Sequence, residues 1–178
     1  AITDTLNGGT IAVAGNVTTT DTYVDGSCTI LFDGAGDQIL QVNGVGGSGG
    51  LPGVRINKAG GTLTIKDTIA LYGSSGWTYT AGTVDAGTST IRFATGTRTI
   101  NSGAMSFNNV VFNVNFSDLQ TVTGTMDVNG NLTLTAITNT LNGGTIAVAG
   151  NVTTTDTAID GTCTILFDGA GDQILQVN

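Results

Sequence analysis

Gly26-Ser27-Cys28-Thr29-Ile30-Leu31-Phe32-Asp33-Gly34-Ala35-Gly36-Asp37 carries the pattern on which the fold turns. A four-residue apolar run opens on Thr and ends against a corner of Gly and Asp. The tetrad recurs as Thr10-Ile11-Ala12-Val13, Thr68-Ile69-Ala70-Leu71, Thr90-Ile91-Arg92-Phe93, Thr125-Met126-Asp127-Val128, Thr145-Ile146-Ala147-Val148 and Thr164-Ile165-Leu166-Phe167. Its second position is always Ile or Met and its fourth always Val, Leu or Phe, whereas the third ranges over Ala, Leu, Arg and Asp. Alternation with a period of two is the signature of a half-buried strand. It predicts that Ile11, Val13, Ile30, Phe32, Ile69, Leu71, Ile91, Phe93, Ile146, Val148, Ile165 and Phe167 face a core, and that Leu31, Arg92 and Asp127 face out.

Working outward, neighbouring tetrads start 19, 22, 20 and 19 residues apart wherever none is skipped. A longer repeat encloses them: residues 1–43 recur at 136–178 with four changes, Asp4 to Asn139, Tyr23 to Ala158, Val24 to Ile159 and Ser27 to Thr162. Residues 1–135 therefore read as one full unit and 136–178 as the start of a second, with no linker between them. Steps of about 19 residues would divide the unit into seven coils. A rhythm of short strands and glycine corners is too short for a propeller blade and has no helical half for a leucine-rich repeat. The predicted fold is all-β, a right-handed parallel β-solenoid (β-helix) of about 19–20 residues per coil; the alternative is a row of antiparallel β-sandwich modules. At ~4.8 Å per coil the unit would advance about 34 Å. The stretch Gly44 to Gly53 has little side chain to pack and is expected to bulge as a loop.

Segments such as Gly161 to Ile174 and Val128-Asn129-Gly130-Asn131-Leu132-Thr133-Leu134-Thr135 resemble the degenerate repeats of large bacterial surface proteins, namely β-helical adhesins, haemagglutinin-like exoproteins and autotransporter passengers. The resemblance spans the chain and implies an exported, elongated, non-enzymatic surface or fibre protein, located extracellularly. The matching positions are structural, so it transfers no binding residue.

Composition excludes other classes. Gly, Thr and Asn fill 76 of 178 positions, with 13 Asp, no Glu, no His and a net charge of -8. Helical surfaces lack their usual Glu and Lys, while Thr, Val and Ile suit a pleated surface. Five scattered basic residues oppose nucleic-acid binding. No apolar run approaches the roughly 20 residues of a membrane-spanning helix.

The candidate chemistry is sparse. Asp33 and Asp37, repeated as Asp168 and Asp172, could gather carboxylates and carbonyls around Ca²⁺; the simpler reading is a corner whose Asp side chains accept from backbone N–H groups. The same acids could form a glycosidase pair, but Asp21, Asp25, Asp33 and Asp37 reappear as Asp156, Asp160, Asp168 and Asp172, and an active site duplicated in tandem is unusual. No catalytic residue and no cofactor is expected. Thr133/Thr135 and Thr153/Thr155 form a threonine ladder two coils long at most, explained more simply by β-propensity and cross-strand contacts; the alternative function is a carbohydrate-active or ice-binding β-solenoid. Trp77 and Tyr79 lie in the Gly/Ser-flanked stretch Ser74 to Thr80, as exposed anchors or as aromatics folded back on a coil. Tyr23, replaced by Ala158 in the second copy, is expected to point outward. Cys28 and Cys163, equivalent residues one unit apart, are too distant to pair. The expected partners are copies of the chain, end to end; a surface glycan or a host ligand stays open. The four sequons at Asn16, Asn115, Asn131 and Asn151 carry little weight in so Asn- and Thr-rich a chain.

Overall fold

The computed structural model describes residues 5–42, 48–114, 118–135, 141–155 and 159–178. Asp4 and Asn139, Asp156, Ala158, the Asn115 sequon and residues 44–47 of the expected glycine loop lie outside the described residues. Within them the chain is all-β with no helix, and its strands join one 16-stranded sheet in which every pairing is parallel. Stacked coils make a β-solenoid of about 7 turns. Parallel pairing rules out the antiparallel sandwich, which joins neighbouring strands by hairpins.

Each coil visits three ladders in turn. The first runs from Ile11 through Ile30, Val54, Trp77, Ile100 and Val122 to Gly143. The second passes from Leu40 to Ile65 and from Leu63 to Val84; it resumes at Phe107, and continues through Val128 and Val148 to Phe167. The third climbs from Gly49 through Ile69, Ile91, Val110, Leu132 and Val152 to Leu175. Residues 48–53, expected to bulge, belong to the strand Ser48–Ile65. The glycines there admit close neighbours: a Cβ on Gly50 would stand 2.4 Å from the Val24 nitrogen.

These ladders correct the coil arithmetic. Paired residues lie between 19 (Ile11 and Ile30) and 25 (Leu40 and Ile65) apart. The tetrads do not form one column either: Thr10 and Thr29 start strands of the first ladder, Thr68 and Thr90 lie in the third, and Thr145 and Thr164 in the second. Six steps carry Ile11 to Gly143. Ile146, the counterpart of Ile11, lies three residues further on, in the second ladder between Met126 and Ile165. The 135-residue unit is thus six turns plus one face, not seven turns, and advances about 30 Å at ~4.8 Å per coil. The corner between the first and second ladders is marked by left-handed glycines at 61, 82, 103, 124 and 143.

The core fills the axis. Ile30, Phe32, Ile69, Leu71, Ile91, Phe93, Ile146 and Val148 are buried as the alternation requires, and Leu31, Arg92 and Asp127 are half-buried. Phe93 stacks on Phe112 at 5.1 Å and meets Phe107 edge-on at 6.3 Å. Ile11 and Phe167 occupy inward positions on the first and last coils, where no described coil covers them, and both are exposed. Val13 and Ile165 pack against the core half-buried.

Candidate functional site

Three aromatics head the candidate surface, and they part ways. Tyr23 is exposed; its hydroxyl donates to Asp25 Oδ2 at 3.1 Å, and its ring lies 4.6 Å from that of Tyr72. Accepting that hydrogen bond, Asp25 raises the Tyr23 phenol above its usual 10.0, with partial burial adding to the effect. Tyr72 in turn carries the Arg92 guanidinium 5.5 Å from its ring centre and accepts a hydrogen bond from it. Tyr23, Tyr72 and Arg92 thus form one aromatic and cationic patch, of which the sequence flagged only Tyr23 as a contact residue. Arg92 could have been found there, because it is the one basic residue at an outward tetrad position.

Of the two readings open for Trp77, exposed anchor or aromatic folded back on a coil, the structure takes the second, with the residue in a strand. Trp77 belongs to the strand Thr68–Asp85 and is wholly buried, paired between Val54 and Ile100. Its ring meets Phe107 edge-on at 5.2 Å, and its indole N–H donates to Met105 Sδ at 3.3 Å. Gly76 makes this possible, with φ of 69° and Thr99 O only 2.1 Å from where a Cβ would stand. Tyr79 is half-buried, and its hydroxyl donates to Gly82 O at 2.6 Å. Neither serves as an exposed anchor.

The acidic turn at Asp33 to Asp37 is closed by a lysine. Lys58 is buried, and its Nζ donates to Gly34 O at 2.7 Å, Gly36 O at 2.8 Å and Gln38 Oε1 at 2.7 Å. An ammonium with three protons and no lone pair fits three oxygens, and it occupies the carbonyls that a Ca²⁺ reading would use. Asp37 Oδ1 accepts from Thr62 N at 2.8 Å, the corner role that such an Asp can play. Gln38 locks the turn, accepting from Gly34 N at 3.2 Å while its Nε2 donates to Val13 O at 2.8 Å and Gly15 O at 2.6 Å. In the second copy Gln173 accepts from Gly169 N at 3.0 Å and donates to Val148 O and Gly150 O, each at 2.7 Å. Asp168 and Asp172 flank that turn and are exposed.

Arg98 and Gln120 repeat the device elsewhere. The buried Arg98 donates to Leu71 O at 2.7 Å, to Gly96 O at 3.2 Å and to Thr95 O, and Gln120 Nε2 donates to Gly96 O at 2.7 Å. Burial pulls the Arg98 guanidinium down to about 10 against the opposing field of Asp118, and it stays charged at neutral pH. Sequence reasoning missed these interior clasps. Their signal is a long polar side chain five to eight residues after a strand Phe: Gln38 after Phe32, Arg98 after Phe93, Gln120 after Phe112 and Gln173 after Phe167.

Where the second ladder is interrupted between residues 83–85 and Ser106–Phe107, the coils part around a cleft of about 530 Å³. Tyr79, Thr83, Asp85, Ser106, Asn108 and Asn129 supply its polar side chains, and Asp85 is the one carboxylate among the lining residues. Asp85 Oδ1 is already engaged with Gly87 N at 2.9 Å.

Two side-chain ladders are structural in their contacts. Thr133 pairs with Thr153, flanked by Val111 below and Gln176 above, so this threonine ladder has two rungs. Its neighbours are not the residues that a uniform 20-residue step would select, because the flanking steps are 22 and 23. Asn109, Asn131 and Asn151 each offer Oδ1 to a backbone N–H one coil on, at 2.9 Å in every case. Cys28 and Cys163 are free, on coils separated by nearly the whole stack. Among the described residues no group of three or more Asp or Cys is placed to hold a metal ion, and no helix is long and apolar enough to cross a membrane. Compared with family models, curated proteins and solved structures, the chain matches none of them.

Proposed function

We propose that this chain is a structural repeat segment of an extracellular fibre or surface protein of adhesin type, which propagates end to end by β-strand stacking. One observation carries the reading. The second copy stacks on the first unit by the same parallel pairing that joins coils within the unit: Leu132 pairs with Val152, and Met126 with Ile146. The last coil meanwhile leaves Leu166, Phe167, Leu175 and Val177 exposed. An uncovered coil edge combines apolar side chains with unpaired N–H and C=O groups, which favour another coil over water. The natural occupant is a continuation of the same repeat, in the same chain or in a second copy. A heterologous contact of this kind that does not close gives a filament.

Because one unit spans six turns plus one face, successive units would be turned by about a third of a revolution. A patch carried once per unit would then appear on all three sides of the fibre. The proposed role assigns no catalytic residue; the cleft at Asp85 is lined by one carboxylate, and the threonine ladder among the described residues has two rungs.

The test is concentration-dependent assembly. Sedimentation and electron microscopy of the chain should show elongation with rising concentration, and tandem chains of two and three units should lengthen by about 30 Å per unit in X-ray scattering. A chain that stays monomeric at high concentration while its last coil is fully protected would refute the proposal.

A further inference from the structure

We infer that the turn Gly169 to Gln173 is a preformed receptor for a primary ammonium group, the side-chain end of a lysine on a coil stacked above it. The inference starts from two turns of identical sequence. Asp33 to Gln38 and Asp168 to Gln173 match residue for residue, and each glycine that opens the turn lies against the coil below, where a Cβ would meet Ala14 O at 2.5 Å or Ala149 O at 2.1 Å. In the first turn Gly34 O, Gly36 O and Gln38 Oε1 hold the Lys58 ammonium at 2.7–2.8 Å. In the second turn no lysine is present, since Lys58 and Lys66 are the only lysines in the chain.

Gln173 nevertheless adopts the posture of Gln38. It keeps the bond from Gly169 N and both donations to Val148 O and Gly150 O, at distances within 0.2 Å of the first turn. The lysine therefore does not build the cage; the glutamine does, and the lysine fills it. A site ordered before its ligand arrives binds without a large ordering cost. The three neutral oxygens that meet Lys58 in the first turn suit a donor with three N–H bonds, the second turn has their counterparts in Gly169 O, Gly171 O and Gln173 Oε1, and the carboxylates of Asp168 and Asp172 add a favourable field. The assignment of the natural occupant rests on the end-to-end stacking proposed above, in which a coil like residues 48–65 brings its lysine over the turn; the ammonium site itself does not.

The probe is n-butylammonium, which reproduces the end of a lysine side chain, titrated into the 178-residue protein while backbone and Gln side-chain amides are followed by NMR. The expected result is a saturable shift of Gly169, Gly171 and the Gln173 amide group. Tetramethylammonium, equal in charge but without N–H donors, should leave them unmoved, and Gln173→Leu should abolish the shift. The first turn, already filled by Lys58, should not respond, whereas Lys58→Ala should make it respond like the second. Equal shifts with tetramethylammonium, retained binding in Gln173→Leu, or no saturable shift at residues 169–173 would each overturn the inference. Filaments without amine binding would remove the receptor and leave the stacking proposal; amine binding without filaments would do the reverse.

Discussion

Residues 29–42 and 164–177 have the same sequence and different lives. Phe32 is 0% exposed and Phe167 38%; Leu40 is 0% exposed and Leu175 60%. Both Phe side chains end a Thr-Ile-Leu-Phe strand, both lie on a coil below, and both precede the same Asp-Gly-Ala-Gly-Asp-Gln turn. What separates them is the coil above: Phe32 has Ile56 over it, whereas no described coil covers Phe167. Burial in a solenoid is therefore supplied by the neighbour, and the hydrophobic gain of each coil is complete only when the next arrives.

The largest consequence is an unequal response to the same mutation. Phe32→Ala should cost about 3–5 kcal/mol in a denaturation midpoint shift, the range for a buried Phe, while Phe167→Ala should cost about 1 kcal/mol or less. Equal losses would mean that the two copies are equally covered. Next in size is the clasp. Lys58→Met removes the donor from Gly34 O, Gly36 O and Gln38 Oε1 and leaves the buried Gly34 O without it, which should cost about 2–4 kcal/mol, whereas Lys66→Met, at an exposed position, should stay within about 0.5 kcal/mol.

The thiols sharpen the comparison further. Cys28 is buried and Cys163 half-buried, so alkylation followed by mass spectrometry should modify Cys163 faster, by about tenfold or more at one pH. Burial raises the Cys163 thiol above its usual 9.0, so its own rate should keep climbing as pH rises past 9. The smallest effect belongs to Tyr23. Its raised value means that the bond to Asp25 is intact below pH 10 and is lost as pH climbs through the folded-state value; the ultraviolet titration of this phenol should move back toward 10 in Asp25→Asn.

The sequence made much of the stack legible. Alternation in the tetrads named the buried side of eight central positions, because strand period and core contact are the same fact there. It failed where the loops decide. Coil length varies from 19 to 25 and the tetrads fall in different ladders, so spacing between tetrads misjudged the number of turns. The steadier signal was the glycine series 61, 82, 103 and 124, spaced by 21 residues, whose members all take positive φ at one corner. The place of Trp77 stayed open between surface and coil because Ser74-Ser75-Gly76 has the composition of a surface turn, although it lies within the strand Thr68–Asp85. Lys58 was invisible for a different reason. Two of its three partners are backbone carbonyls from another coil, which leave no mark in residue type.

The central claim, that the coil above supplies the burial of the coil below, is tested most directly by amide hydrogen exchange on the 178-residue chain at low micromolar concentration. Residues 29–42 and 164–177 serve as internal controls for each other, since their sequence and intrinsic exchange rates match. The account predicts strong protection in the first and fast exchange in the second, with Ile30 to Phe32 and Leu175 to Val177 at the extremes. Equal protection of both segments under those conditions would contradict it.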